Sequence, residues 1–263
     1  MATSLYSALL VLFVLPWSSY DSPVPLINGG VVPGSISVLG EQDCYSFFAN
    51  ANEGIQLSVP DISLGPFRPR IEVIDPSGMS VGSVFNNNVA LFRFPAPATG
   101  TYTFLVEDVS STNTGSYEVH FTRAPGADEL GRLSNGVPMQ QEITLGDLDS
   151  WTFDGVRGQT PTISMSDINS DSLTPHMTLY DPLGAVVLMP VDGDDKATLR
   201  PTLDATGTYT LVVRDTGGTF LFGTGSYSIV VDGIPAAPVP IPWFGPAGLA
   251  VLVTCFGVLL LRK

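Results

Sequence analysis

Positive charge is scarce in this chain. Its 263 residues include 11 Lys and Arg against 25 Asp and Glu, a formal net charge of −14 at neutral pH. So acidic a surface repels polyphosphate, which excludes nucleic acid as a partner. The acidity suits an exported, soluble protein or cation binding. Cysteine is nearly absent. Cys44 and Cys255 lie far apart, the second inside an apolar C-terminal stretch, so they form neither a disulfide framework nor a zinc site. Cys44 reads as a small strand residue. Histidine is as rare, with only His120 and His176. Each reads as structural or solvated. The chain has no His-Glu-x-x-His, no Gly-x-Ser-x-Gly and no Gly-x-x-x-x-Gly-Lys, which leaves the usual hydrolase and nucleotide chemistries without their residues. The acidic pairs Glu41 with Asp43 and Asp147 with Asp149 recur beside the same kind of aromatic strand, which points to a role in the fold. Glycoside hydrolysis by paired carboxylates needs a cleft that a filled sandwich does not supply. No amphipathic helix of useful length appears, and the expectation is a non-enzymatic protein.

The chain does have turn residues in quantity, 27 Gly and 22 Pro, between short runs of Val, Ile, Tyr, Phe and Thr. This is how antiparallel strands and tight turns read. The runs are duplicated. GEQDCYSF (Gly40 to Phe47) returns as GDLDSWTF (Gly146 to Phe153), with Asn28-Gly29 and Asn135-Gly136 ahead of them. PRIEVIDPSG (from Pro69) returns as PHMTLYDPLG (from Pro175), ATGTYTFLVED (from Ala98) as ATGTYTLVVRD (from Ala205), and TGSYEV (from Thr114) as TGSYSI (from Thr224). Four blocks in one order establish an internal repeat. Each unit reads as seven or eight short strands over residues 24–124 and 130–233, so the fold class is all-β, two tandem antiparallel β-sandwich or jelly-roll domains. In YSF and WTF the aromatics share one strand face. Asp-Pro-x-Gly suits a tight turn, and Tyr102 and Tyr209 should face the core with their hydroxyls near its edge.

The two ends differ from the rest. ALLVLFVLPW (Ala8 to Trp17) has the length of a signal-peptide core, although no Lys or Arg precedes it, and residues 1–20 are expected to be a leader. A buried first strand is the other reading. Residues 234–242 form a Pro-rich linker. Residues 243–261 are uncharged and apolar, the length of a C-terminal transmembrane helix, with Trp243 at the start and the basic tail Arg262 and Lys263 at the end. The expected C-terminus is cytoplasmic before processing, with the remainder exported.

Two resemblances follow from these residues. Pro238, Pro240 and Pro242, followed by Trp243, the apolar stretch and Arg262 and Lys263, resemble the tripartite sorting signals of PEP-CTERM and related exosortase systems. The motif here, VPIPWFGPAG, departs from Pro-Glu-Pro. The resemblance implies an exosortase-like transpeptidase as partner and delivery to the cell envelope or matrix. Without it, the segment is a simple membrane anchor. The repeated blocks resemble the bacterial and archaeal pre-peptidase C-terminal domain across both copies. That resemblance implies a binding or secretion accessory, some of whose members bind substrate and calcium.

Calcium is therefore the one cofactor to consider. Asp167, Asn169 and Asp171 (DINSDS) and Asp192, Asp194 and Asp195 (DGDD) place oxygen ligands on turns, as a hard cation requires. Neither loop continues as an EF-hand, and an ordinary Asx-rich turn explains the same residues. The functional expectation is an extracellular matrix or cell-surface protein that holds a polysaccharide or protein matrix. The alternative is a calcium-stabilised accessory to a separate secreted peptidase or other hydrolase.

Overall fold

The computed structural model describes residues 22–63, 65–126, 129–169, 172–188, 194–216 and 223–235. The described residues are all-β and form 17 strands in four sheets. In the first sandwich, β1 (Val24–Pro25), β3 (Gln42–Ala49), β8 (Gly100–Asp108), β5 (Pro69–Ile74) and β6 (Ser80–Phe85) form one sheet in the order β1-β3-β8-β5-β6. The facing sheet is β2-β9-β4-β7, built from β2 (Gly30–Ile36), β9 (Gly115–Ala124), β4 (Gly54–Pro60) and β7 (Val89–Pro95). The second sandwich repeats the plan. One sheet is β11 (Asp149–Gly155), β16 (Gly207–Asp215), β13 (Pro175–Tyr180) and β14 (Val186–Leu188). The other is β10 (Met139–Ile143), β17 (Gly225–Asp232), β12 (Thr162–Asp167) and β15 (Lys196–Leu199).

Two expectations need correction. The fold class was to include a C-terminal transmembrane helix, but the described chain contains no helix, and among the described residues none is long and apolar enough to cross a membrane. Residues 243–261 lie outside the described residues, as do 1–20, so the leader is likewise outside them. The sheets are also not wholly antiparallel. β1 pairs parallel to β3, Val24 with Tyr45, and Arg132 makes the matching parallel bridge to Thr152. The two-residue β1 is too short to show any alternation in sequence.

Each sandwich encloses its own core, and the repeated motifs build its edges. Tyr45, Phe47, Tyr102, Phe104 and Tyr117 fill the first core, and Trp151, Phe153, Tyr209, Leu211 and Tyr227 fill the second. Tyr102 and Tyr209 are fully buried, and each hydroxyl donates back to the backbone oxygen four residues upstream, Ala98 (2.7 Å) and Ala205 (2.9 Å). The Asn-Gly pairs cap the final strands. Asn28 Oδ1 accepts from Arg123 N (2.5 Å), and Asn135 Oδ1 accepts from Gly233 N (2.7 Å).

Asp75 and Asp181 open the Asp-Pro-x-Gly turns and accept backbone N–H groups from Met79 and Ala185, both at 2.9 Å. The turn prolines lie against the glycine of Gly-Thr-Tyr. A Cβ at Gly100 would come within 2.7 Å of Pro76, and one at Gly207 within 2.8 Å of Pro182. The two motifs recur together because one packs on the other.

Candidate functional site

The residues that distinguish the two copies are found where the sandwiches meet. In β4, Ile55, Leu57 and Val59 point into the core. By strand alternation Gln56 and Ser58 face outward, yet both are buried. In β13, Met177 and Leu179 enter the second core, while His176, Thr178 and Tyr180 face outward and are also buried. Outward-facing residues are buried because the β2-β9-β4-β7 sheet packs against the β11-β16-β13-β14 sheet. Gln56 Nε2 donates to the Tyr180 hydroxyl across this seam at 2.9 Å. Ala124, Leu148, Tyr180 and Val212, from both sandwiches, form a small apolar cluster with Leu91 against it. Gly146 sits under Pro60, where a Cβ would come within 2.9 Å of the ring. A gap of about 10 Å³ beside Ser58, Asp147 and Arg214 has room for no more than about one water.

The equivalent face of the first sandwich is open and different. Arg70, Glu72 and Glu107 stand where the second copy has His176, Thr178 and Arg214, and Arg70 pairs with both glutamates. That face carries a partly exposed ion-paired ladder, where the seam face has Thr178 and Tyr180.

A cluster of charged groups lies at one end of the seam. His120 is buried, with Nδ1 3.3 Å from Asp147 Oδ1 and Nε2 3.5 Å from Glu118 Oε2. Asp149 is buried and accepts the Tyr227 hydroxyl at 2.6 Å, and that hydroxyl accepts Trp151 Nε1–H at 2.9 Å. Burial, then the neighbouring Asp147 carboxylate, pushes the Asp149 carboxyl up to about 8. Burial and Asp147 also push Glu129 up to about 7. Glu129 stands at the solvent-facing rim, where water screens it, so Asp149 dominates. The first copy uses the same design more openly. The Tyr117 hydroxyl bonds Asp43 and lies 2.8 Å from the Tyr45 hydroxyl, but Asp43 is only half-buried. The acidic pairs that recur in both copies thus serve the fold.

At the other end of the seam the sandwiches part to leave a cleft of about 430 Å³. Asn52, Gly54, Arg93 and Phe94 line it from the first sandwich, and Tyr180 and Val186 from the second. A cavity of this volume and mixed lining is within the range of small-ligand sites.

The expected site residues fall elsewhere. Asp167 Oδ1 accepts the Asn169 amide at 2.9 Å, an Asx turn, and Asp167 N donates to Asp195 O at 2.9 Å, which brings the two acidic loops together. Asp167 Oδ2 is buried with no hydrogen-bond partner among the described residues. Asp194 and Asp195 are exposed. Asp171 and Asp192 lie outside the described residues, and among those described no group of three or more His, Cys, Asp or Glu could hold a metal ion. Pro238, Pro240, Pro242, Trp243, Arg262 and Lys263 also lie outside the described residues. Sequence reasoning missed Arg93, Asn52 and Tyr180. The available signal was the exchange of Arg70, Glu72 and Ile74 for His176, Thr178 and Tyr180 between otherwise matching strands.

No family model matches the chain, and no curated protein matches it. Among solved structures the chain is similar to the pre-peptidase C-terminal domain of a collagenase from Bacillus anthracis, at 21% identity over 39% of this chain and 96% of that one, with a TM-score of 0.34. It is similar to a protein of Eubacterium rectale described as secreted, at 10% identity over 78% of this chain and 74% of that one, with a TM-score of 0.25. It is also similar to the CUB1-EGF-CUB2 region of human MASP-1/3, at 8% identity over 76% of this chain and 99% of that one, with a TM-score of 0.20.

Proposed function

We propose that this chain is an exported, non-enzymatic protein of the cell surface or extracellular matrix, in which two β-sandwiches act as one binding module. The observation that carries this reading is the composite cleft. It exists only where the two copies meet, and the residues that bring them together are those by which the copies differ. A pair of independent sandwiches would keep both outer faces solvated, as the Arg70–Glu72–Glu107 face is. Export is supported by the leader-like first 20 residues, and the acidic composition suits it. Processing at Pro238, Pro240 and Pro242 by an exosortase-like transpeptidase belongs to the same reading, and intact mass of the mature protein tests it.

The binding role is tested by co-sedimentation of the purified protein with polysaccharide and protein matrix material. Retention on one class of polymer is expected, lost when Tyr180→Ala opens the seam. Equal retention of the variant, or no retention on any polymer, would overturn it.

The meeting of the DINSDS and DGDD loops at Asp167 and Asp195 favours a second reading, a calcium-stabilised accessory to a separate hydrolase. That reading expects the melting temperature to rise in millimolar calcium and to fall back with EDTA. An unchanged melting temperature would leave an Asx turn.

A further inference from the structure

An edge strand leaves a row of N–H and C=O groups open to another strand, and proteins blunt such edges with prolines, bulges, lysines, short strands or covering loops. Most edges of these sheets are blunted. β1 has two residues, and β2 carries Pro33 in its middle. β6 and β14 each slip register against their neighbour, as a bulge does. β7 ends on Pro95 and lies at the seam, where Leu91 packs on the second sandwich. Leu133 N donates to Thr152 O at 2.7 Å and covers the edge of β11. β15 has four residues and opens with an exposed lysine, Lys196.

The exception is β10. It reads MQQEI, with no proline, glycine or lysine, and pairs with β17 in unbroken register from Met139 to Ile143. Its other edge pairs with no strand among the described residues. Met139, Gln140, Gln141 and Glu142 are exposed, and only Ile143 is buried. The repeat shows what was exchanged. Gly34 lies opposite Tyr117 and Gln141 opposite Tyr227, so Pro33 and Gln140 hold the same place in the two copies. A proline is tolerated in a paired strand where its missing N–H would face the open edge. Positions 140 and 142 therefore turn their backbone groups outward, and position 141 turns its own to β17. In the second copy proline stands instead at Pro138, ahead of the strand, and leaves residues 139–143 open.

We propose that β10 is the contact between two copies of this chain, paired antiparallel about a two-fold axis at Gln141. The strand is self-complementary in that register. Met139 stands opposite Ile143 of the second copy, Gln140 opposite Glu142 of the second copy, and Gln141 opposite its own equivalent. Apolar residues meet apolar ones, and each carboxylate meets a side-chain amide that donates to it. The outward positions 140 and 142 supply the backbone hydrogen bonds, and two four-stranded sheets become one of eight. The contact does not depend on the cleft.

Sedimentation equilibrium of the full chain over a range of concentrations tests this. A monomer–dimer equilibrium is expected. Gln140→Glu sets like charges opposite one another twice and should raise the dissociation constant about tenfold, while Gln140→Lys, opposite Glu142, should lower it. Gln140→Pro copies the closed edge of β2, a place where the fold already accepts proline, and should abolish the dimer. With Cys44 and Cys255 replaced by serine, Gln141→Cys should form a disulfide-linked dimer under mild oxidation, because the two-fold brings those positions within disulfide reach. A chain that stays monomeric up to about 1 mM overturns the proposal. A dimer indifferent to all three substitutions at Gln140 places the contact elsewhere and overturns it too. A monomer whose Gln140 and Glu142 amides resist hydrogen exchange would mean that another part of the chain covers this edge, which also overturns it.

Discussion

Tyr227 and Tyr117 occupy the same place in the two copies, but their surroundings differ. Tyr227 joins Asp149 and Trp151 in a fully buried chain, whereas Asp43, beside Tyr117, can reach water. Removing a hydroxyl from a buried chain leaves its partners unsatisfied, at about 1–3 kcal/mol for each group. Tyr227→Phe should therefore destabilise by about 2–4 kcal/mol on that scale, and Tyr117→Phe by about half as much. Urea unfolding of the two variants measures this, and equal losses would contradict the difference in burial. Glycine at 207 is fixed by both backbone and space, with φ +157° and the Pro182 ring beneath it. Gly207→Ala should cost about 1–3 kcal/mol by overpacking. A neutral result in the same assay would show that the two motifs are not coupled.

At the scale of single elements, strands and turns were legible because their residues announce local geometry. Asp-Pro-x-Gly marked its turns, and Tyr45 and Phe47 marked a core face by alternation. The seam was less legible. Gln56, Ser58, Thr178 and His176 look like solvent-facing residues of ordinary strands, and only the second sandwich buries them. Their polarity hid the interface, and the contrast of the copies, Arg70 and Glu72 against His176 and Thr178, was the remaining trace. The two histidines, at unmatched places in the repeats, turn out to lie on the two sheets that meet.

The strand-end carboxylates show a second kind of hidden role. Burial pushes the Asp108 carboxyl up, but hydrogen bonds from the Ser110 hydroxyl, the Arg68 and Thr112 amides and the Asn113 side chain outweigh it and hold it down to about 2. A carboxyl lowered on folding contributes stability above its unfolded value, and that contribution is lost as pH falls through about 2. Asp108→Asn should therefore weaken the 108–113 loop at neutral pH and flatten the acid limb of the unfolding curve. An acid limb unchanged in the variant would assign that limb to other carboxylates.

For the molecule as a whole, the opposite shift at Asp149 makes stability decline from mildly acidic to mildly alkaline pH. Its carboxyl, raised to about 8, holds its proton more tightly folded than unfolded. The associated stability is complete below the unfolded value of 3.8 and is lost as pH rises through about 8. Above that pH the Asp149 and Glu129 carboxyls have both lost their protons close to Asp147, which itself lies beside His120. Stability should fall from about pH 4 to about pH 8 in wild type and level off above, and Asp149→Asn should flatten that fall. A curve of the same shape in the variant would remove Asp149 as its cause.

These effects all assume that the two sandwiches form one unit through a buried seam. Calorimetric unfolding of the full chain tests that most directly. A single cooperative transition is expected in wild type, splitting into two when Tyr180→Ala and Leu148→Asp break the contacts to Gln56 and Leu91. Two independent transitions in wild type, unchanged by those substitutions, would contradict it.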